Sequence, residues 1–186
     1  MFIKTILSAT TALSLSTAIV FAGANGNPMV GGAAMFEERN IVENAVNSAD
    51  HTTLVAAVKA AGLADTLAGE GPFTVFAPTN AAFGKLKAGT VEALLEPAAK
   101  DQLTRILTCH VVAADALSTA IRGMVDDGGG MYMVPTVGGC MLEATYDGDK
   151  IMLKDEQGRV INVTIADVRQ SNGVIHVVDR VILPKM

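Results

Sequence analysis

The hydrophobic pattern of this 186-residue chain changes its period at Gly128-Gly129-Gly130. Before these glycines most apolar residues recur every three or four positions, which is the spacing of one face of a helix. After them the chain consists mainly of short β-prone runs separated by turn signals. Helices first and strands later are typical of an α+β domain rather than of an alternating βα fold. The strands predicted in this second part are residues 131–134, 140–146, 151–154, 160–166 and 174–183.

Several helix boundaries can be predicted in the first part of the chain. Asn40 can cap a helix, and Glu43 stands three residues later, as in a capping box. Gly62 is expected to end the second helix. Thr79, Thr90 and Asp115 are expected to open three later helices.

The N-terminal residues 1–24 have the features of a secretory signal peptide. Lys4 precedes a mostly apolar run that ends in the small residues Ala22-Gly23-Ala24. The alternative is a membrane anchor, but Ser and Thr residues interrupt the run, which disfavours a bilayer-spanning helix. We therefore predict cleavage after Ala24, a flexible Gly-rich lead-in over residues 25–39 and a single domain over residues 40–186.

Composition and motif searches argue against several classes of function. A chain with net charge −5 and no Trp is a poor candidate for nucleic-acid binding. No dinucleotide fingerprint, phosphate loop or zinc-type Cys/His spacing is present, so no cofactor or metal is expected. After residue 24, no stretch is long and apolar enough to predict an integral membrane segment in the mature chain.

The two cysteines, Cys109 and Cys140, form a candidate disulfide. Disulfides persist in oxidising compartments, and the predicted signal peptide would send the chain to one. The alternative is two buried free thiols, because Cys is often buried.

The three histidines, His51, His110 and His176, supply every neutral-pH base of the chain. Two of them lie in apolar surroundings, where a lone His is usually a hydrogen-bonded core residue. A hydrolase using a carboxylate pair such as Asp167 and Asp179 is the enzymatic alternative, but nothing in the sequence brings these two groups together.

Two long segments resemble the two signature motifs of the fasciclin (FAS1) family. The first runs from Gly71 to Phe83 (GPFTVFAPTNAAF), and the second runs from Asn172 to Pro184 (NGVIHVVDRVILP). Between them, Cys109 and His110 stand where the family usually shows a Tyr-His pair, so the His matches and the Tyr does not. The resemblance covers residues 40–184.

The resemblance implies a β-sandwich wedge accompanied by several helices, mainly in the N-terminal half. It also implies a secreted or surface protein tied to adhesion. The family-motif positions are mostly apolar, which favours a mainly structural role for them. These positions are Phe73, Phe76, Pro78, Thr79, Asn80, Phe83, His110, Asn172, Gly173, His176 and Asp179.

The functional expectation is an exported, non-catalytic binding module, periplasmic or at the cell surface. It would mediate cell adhesion or matrix attachment through a surface protein or a glycan. The alternative is a carrier of a small ligand or lipid, since the nine Met residues could line an adaptable pocket.

Overall fold

The computed structural model describes residues 26–185, so the predicted signal peptide lies outside the described residues. Single turns of 3-10 helix occur at Ala49–His51 and Pro97–Ala99. The α-helices are α1 (Ile41–Ala45), α2 (Thr52–Ala61), α3 (Ala64–Ala68), α4 (Asn80–Gly84), α5 (Thr90–Leu95), α6 (Lys100–Thr108) and α7 (Ser118–Asp127). The strands are β1 (Met29–Val30), β2 (Ala33–Ala34), β3 (Phe73–Pro78), β4 (Val111–Val112), β5 (Tyr132–Pro135), β6 (Met141–Asp147), β7 (Lys150–Lys154), β8 (Val160–Gln170) and β9 (Gly173–Val178).

Seven strands form one mixed sheet in the order β4-β3-β9-β8-β7-β6-β5. Only the β3–β9 pair is parallel among these strands. The long strand β8 pairs with β7 through Val160–Asn162 and with β9 through Val163–Gln170, with irregular register in the second pairing. Bulges bend a strand and increase its twist. β8 therefore connects two halves of the sheet. Together with helices α1–α7, this mixed sheet confirms the α+β prediction.

Two apolar cores lie on opposite faces of the central strands β3 and β9. Val75, Ala77 and Ile175 face the first core, which they share with helices α1–α6. Phe76 and Val178 face the second core, where strands β5–β7 and helix α7 pack against them. A strand buried on both faces is mostly apolar at consecutive positions, which explains why apolar residues predominate in both strands, with Thr74 and His176 as their buried polar members.

Three of the predicted helix boundaries are confirmed. The Asn40 Oδ1 accepts from the Glu43 N–H at 2.9 Å, and the Glu43 carboxylate accepts from the Asn40 N–H at 2.9 Å. The Thr79 hydroxyl accepts from the Ala82 N–H and so caps α4. Gly62 ends α2 in the left-handed conformation, with φ 74°.

The two remaining boundaries differ from the predictions. Thr90 is already the first residue of α5, and Gly89 stands at its N-cap with φ 79°. Helix α7 begins at Ser118 rather than near Asp115. Its first N–H group is capped by a distant residue, because the carboxylate of Asp167 on β8 accepts from the Ser118 N–H at 2.7 Å. A cap supplied by tertiary contact has no local sequence signature.

The segment predicted as a flexible lead-in contains ordered structure. Strands β1 and β2 pair in a hairpin, and the Met35 N–H donates to the Pro28 carbonyl at 2.9 Å. Val30 and Met35 are buried in the first core, and this apolar contact is the physical reason for the order.

The last strand is shorter than predicted and ends at Val178. Beyond it, the N–H groups of Ile182 and Leu183 donate to the side chains of His110 and Asp155 instead of to a neighbouring strand. Within the part of the chain described here, no helix is long and apolar enough to cross a membrane.

Candidate functional site

The two sequence motifs lie side by side at the centre of the sheet. Phe73 pairs with Gly173, and the parallel register continues to Pro78 and Val178. A Cβ atom on Gly173, where φ is 153°, would lie 1.9 Å from the Phe73 carbonyl oxygen. Only glycine fits at this crossing, so Gly173 allows the two motifs to meet.

Two motif asparagines serve as hydrogen-bonding hubs. The Asn172 Oδ1 accepts from the Ile41 N–H at 3.0 Å, and its Nδ2 donates to the carbonyls of Leu67 and Gly69. Asn80 accepts from the Thr53 N–H at 3.0 Å and donates to the Ala49 carbonyl at 2.9 Å. Asn172 thus holds α1 and α3 against the turn between β8 and β9, whereas Asn80 joins α4 to the start of α2. Phe76, Pro78 and Phe83 are buried, whereas Phe73, Thr79 and Asp179 are partly buried.

His110 is a buried, neutral imidazole with a fixed tautomer. Its Nε2 accepts from the Ile182 N–H at 2.9 Å, so Nδ1 carries the proton and donates to the Ile106 carbonyl at 2.8 Å. Burial lowers the pKa of His110 to about 4. Cys109 and His110 are 0% and 2% exposed, so neither side chain can contact a partner directly.

His176 is also neutral, and its proton is on the opposite nitrogen. Its Nδ1 accepts from the Asp167 N–H at 3.2 Å, so Nε2 donates to the Ala116 carbonyl at 2.8 Å. Burial lowers the pKa of His176, and the ring stacks on Phe76 with centroids 5.7 Å apart. Both nitrogens of His176 are occupied by hydrogen bonds, so this ring is not available as a base.

His51 completes the set of histidines. It is buried, its Nδ1 lies 2.8 Å from the Ser48 hydroxyl, and burial lowers its pKa. It contacts the first core beside Leu54 and Val75, where it lines a cavity of only about 30 Å³. A cavity of this size holds about one water molecule, so it offers no room for a substrate.

The two carboxylates considered for a hydrolase have no hydrogen-bond partner in common. The Asp167 carboxylate accepts from the N–H and the hydroxyl of Ser118. The Asp179 carboxylate accepts from the Asn162 N–H at 2.8 Å and from the Lys85 ammonium at 3.2 Å. Each group therefore stabilises its own local structure.

The predicted disulfide is present, with the Cα atoms of Cys109 and Cys140 5.4 Å apart. It joins the end of α6 to the residue before β6. Two backbone hydrogen bonds reinforce the connection, from the Val137 N–H to the Val111 carbonyl at 2.8 Å and from the Gly138 N–H to the Thr108 carbonyl at 3.0 Å. These contacts bring the two edges of the sheet together at one end.

The edges separate again beyond this contact and leave an apolar groove of about 370 Å³. If the two edges continued as an antiparallel ladder from the Val137–Val111 hydrogen bond, the next hydrogen-bonded pair would lie two residues further along each edge. That pair would be Pro135 and Ala113. Pro135 has no N–H to donate, so closure cannot continue through it. The groove is lined by Phe76, Val112, Ala113, Ala114, Ala116, Ile121, Met124, Tyr132, Val134, Pro135, Thr136 and Val137.

A row of exposed apolar side chains borders this groove along edge strand β5, the residues that flank it and the start of β6. Met131, Met133, Val137 and Met141 are 44%, 41%, 54% and 40% exposed, and we call them the methionine strip. Residues 131, 133 and 137 share a parity along the strand, and Met141 pairs opposite Pro135 on the same face.

The methionine strip was not predicted from the sequence, although the alternation that places its residues on one face is visible there. The alternation over residues 131–137 places every second residue on one face, and Val134 and Thr136 on the other face are buried. The sequence alone does not say which face is covered, because Met and Val suit a core as well as a surface.

A second, polar groove of about 690 Å³ lies where the two motifs begin. Glu70, Asp115, Arg169 and Asn172 are among its lining residues. Over residues 26–185, no three His, Cys, Asp or Glu side chains are grouped so as to hold a metal ion. The polar groove therefore carries no recognisable metal chemistry.

Comparisons with known proteins agree with this architecture. The family model described as Fasciclin domain matches residues 49–184. The chain is 45% identical over 163 residues to Protein sll1483 of Synechocystis sp., covering 85% of this chain and 81% of that protein. It is 32% identical over 145 residues to the Immunogenic protein MPB70 of Mycobacterium bovis, covering 75% of this chain and 66% of that protein.

A further relative and a solved structure show the same module within longer proteins. The chain is 35% identical over 131 residues to the Transforming growth factor-beta-induced protein ig-h3 of Sus scrofa, covering 70% of this chain and 17% of that protein. A FAS1 domain pair from the insect cell adhesion molecule Fasciclin I superposes with a TM-score of 0.70 at 18% identity. That alignment covers 78% of this chain and 51% of the domain pair. The chain belongs to the Fasciclin domain family.

Proposed function

We propose that this chain is an exported, non-catalytic binding module that attaches to a cell surface or matrix through protein contacts. The observation that carries the proposal is the methionine strip, an exposed apolar row along edge strand β5 and the start of β6. Family relatives support it: one is described as the Cell surface glycolipoprotein MPB83, and a FAS1 pair belongs to an insect cell adhesion molecule.

The physical character of the methionine strip suits protein recognition. Contiguous apolar patches on a soluble domain often mark interaction sites. Met side chains are flexible and polarisable, so they adapt to different partner surfaces. Strand β5 is also a sheet edge, and exposed edges can accept a further strand.

The same character favours a protein partner over a glycan. Sugar hydroxyls lose hydrogen bonds to water on binding and need polar groups in return. The methionine strip supplies thioether and alkyl groups, and the chain has no Trp to stack on a sugar ring. A protein side chain of apolar character is the better complement.

The expected location is the periplasm or the cell exterior. The sequence of residues 1–24 predicts export, and a disulfide between Cys109 and Cys140 is typical of an oxidising compartment. Both cysteines are buried and joined, as expected of a structural rather than a reactive pair.

Binding of labelled residues 25–186 to cells of the source organism and to foreign cells tests the proposal. We expect saturable binding that surface proteolysis removes and that Met133→Asp with Met141→Asp reduces at least about tenfold, since buried charges without partners are costly. Val160→Asp is the matched control, because Val160 is 47% exposed but lies on β8. Equal binding by all three proteins would reject the methionine strip as the binding face.

The apolar groove supports a second candidate, a carrier for a small apolar ligand. Its volume of about 370 Å³ falls within the range of small-molecule sites, and its lining is almost wholly apolar. Native mass spectrometry of the purified chain would show a bound mass that organic extraction removes. A single apo mass under gentle ionisation would argue against this carrier function.

A further inference from the structure

The methionine strip places three oxidisable thioethers in solvent. Met131, Met133 and Met141 are exposed, whereas Met35 is buried at 2% exposure in the first core. Oxidation of a thioether requires contact between its sulfur and the oxidant, so exposure governs the order of reaction.

Among the described residues, Met29, Met124 and Met152 are only partly exposed, and no side chain other than methionine competes well for a mild oxidant. The chain has two cysteines, both in the disulfide, and it has no Trp. The disulfide sulfurs are shielded, since Cys109 and Cys140 are 0% and 2% exposed. Oxidation chemistry on this protein is therefore concentrated at exposed thioethers.

The three thioethers also lie on one face. In the β5–β6 register, Met133 pairs with Glu143, and Pro135 pairs with Met141. Met133 and Met141 are thus diagonal neighbours on one face, which long side chains can span. Met131 is two residues before Met133 and has the same parity. An oxidant that reaches this face can therefore oxidise all three thioethers, with one oxidant molecule consumed for each sulfur.

We propose that Met131, Met133 and Met141 form a site of oxidation by peroxide that switches off the binding face. Each sulfur attacks one peroxide oxygen, the O–O bond breaks, and that oxygen is transferred to sulfur. The thioether is oxidised to a sulfoxide, and hydrogen peroxide is reduced to water. Three sulfoxide dipoles convert the apolar strip into a polar one. The loss of attachment rests on the proposed function, but the oxidation itself does not.

Hydrogen peroxide titration followed by peptide mapping tests the site on the folded chain. We expect sulfoxide first at Met131, Met133 and Met141 and last at Met35, with an unchanged far-UV spectrum and an intact disulfide. Oxidation of Met35 in step with the exposed three would overturn the assignment, as would loss of structure before the strip is modified.

The variant Met131→Leu/Met133→Leu/Met141→Leu separates the switch from its consequence. It keeps an apolar strip of similar volume that peroxide cannot modify. Treated native chain should elute earlier from a hydrophobic-interaction column and lose saturable cell binding, whereas the treated variant should do neither. Equal shifts for both proteins would overturn the switch.

The two proposals fail in different ways. If untreated native chain and untreated variant both fail to bind cells, the proposed function fails, and column retention still decides the switch. If the native chain binds cells equally well before and after complete oxidation of the strip, the switch fails and the proposed function stands.

Discussion

The Nε2 atom of His110 accepts a hydrogen bond from the backbone N–H of Ile182 at 2.9 Å. This contact joins the segment after α6 to the end of the second motif, 72 residues away. An imidazole can accept only while that nitrogen is unprotonated. His110 therefore stabilises the fold only as a neutral ring, with its proton on Nδ1.

Acid should destabilise the fold through this ring. Burial lowers the pKa of His110 from 6.5 to about 4, so the unfolded chain binds the proton more tightly. The contribution of the neutral His110 to the free energy of unfolding is complete above pH 6.5 and is lost as the pH falls from 6.5 to about 4. The total loss is about 3 kcal/mol. Burial lowers the pKa of His51 and His176 in the same direction. Urea unfolding at pH 7.5, 6 and 5 measures the effect; a free energy of unfolding that stays constant would contradict it.

Replacing His110 by Phe should keep the ring volume and remove both hydrogen bonds. The Ile182 N–H and the Ile106 carbonyl would then be buried without partners. We expect a loss of about 2–4 kcal/mol in the free energy of unfolding. The variant should also lose part of the stability change between pH 7.5 and 5. A pH profile identical to that of the native chain would show that His110 is not responsible for it.

Removing the disulfide should destabilise the domain without unfolding it. The bond closes a loop with a sequence separation of 31, for which loop entropy predicts about 3–4 kcal/mol. Cys109→Ala with Cys140→Ala tests this by urea unfolding, with the reduced native chain as the comparison. Similar stabilities of the variant and the oxidised native chain would mean that the backbone bonds of Val137 and Gly138 suffice.

Gly173→Ala should be severely destabilising, whereas Gly123→Ala should stabilise. The new Cβ at residue 173 would lie 1.9 Å from the Phe73 carbonyl oxygen and would force β3 away from β9. A Cβ at residue 123 meets no atom within 4 Å, and Gly123 lies inside α7. We expect a gain of about 1 kcal/mol for Gly123→Ala from helix propensity. Thermal unfolding of both variants tests these two expectations. A native-like melting temperature for Gly173→Ala would refute the packing argument.

The sequence was most informative where a feature depends on neighbouring residues. The capping box of Asn40 and Glu43 and the Thr79 cap follow from local hydrogen bonding, and both were predictable. The α7 cap was not predictable, because it comes from Asp167 on β8, which is distant in sequence from Ser118. Asp167 itself has an unusual backbone conformation, with φ 59°. Order in β1 and β2 was missed for a similar reason, since it comes from burial of Val30 and Met35 against distant residues.

The candidate site was less predictable than the fold. Cys109 and Cys140 could be paired from composition and export alone, because only two cysteines exist. Exposure of Met133 and Met141 depends on which sheet face the rest of the chain covers, and no local pattern carries that information. Pro135 could be seen in the sequence, but its effect on closure needs the register with β6 and the contact to Val111.

The pairing of Phe73 with Gly173 also constrains when the chain can fold. The central strands are separated by most of the domain, and such non-local contacts slow folding because a long loop must close first. Synthesis delivers β9 long after β3, so the two cores lack one of their shared strands until then. Folding of the domain therefore cannot finish until its second motif has been made, a delay that would suit the export proposed above.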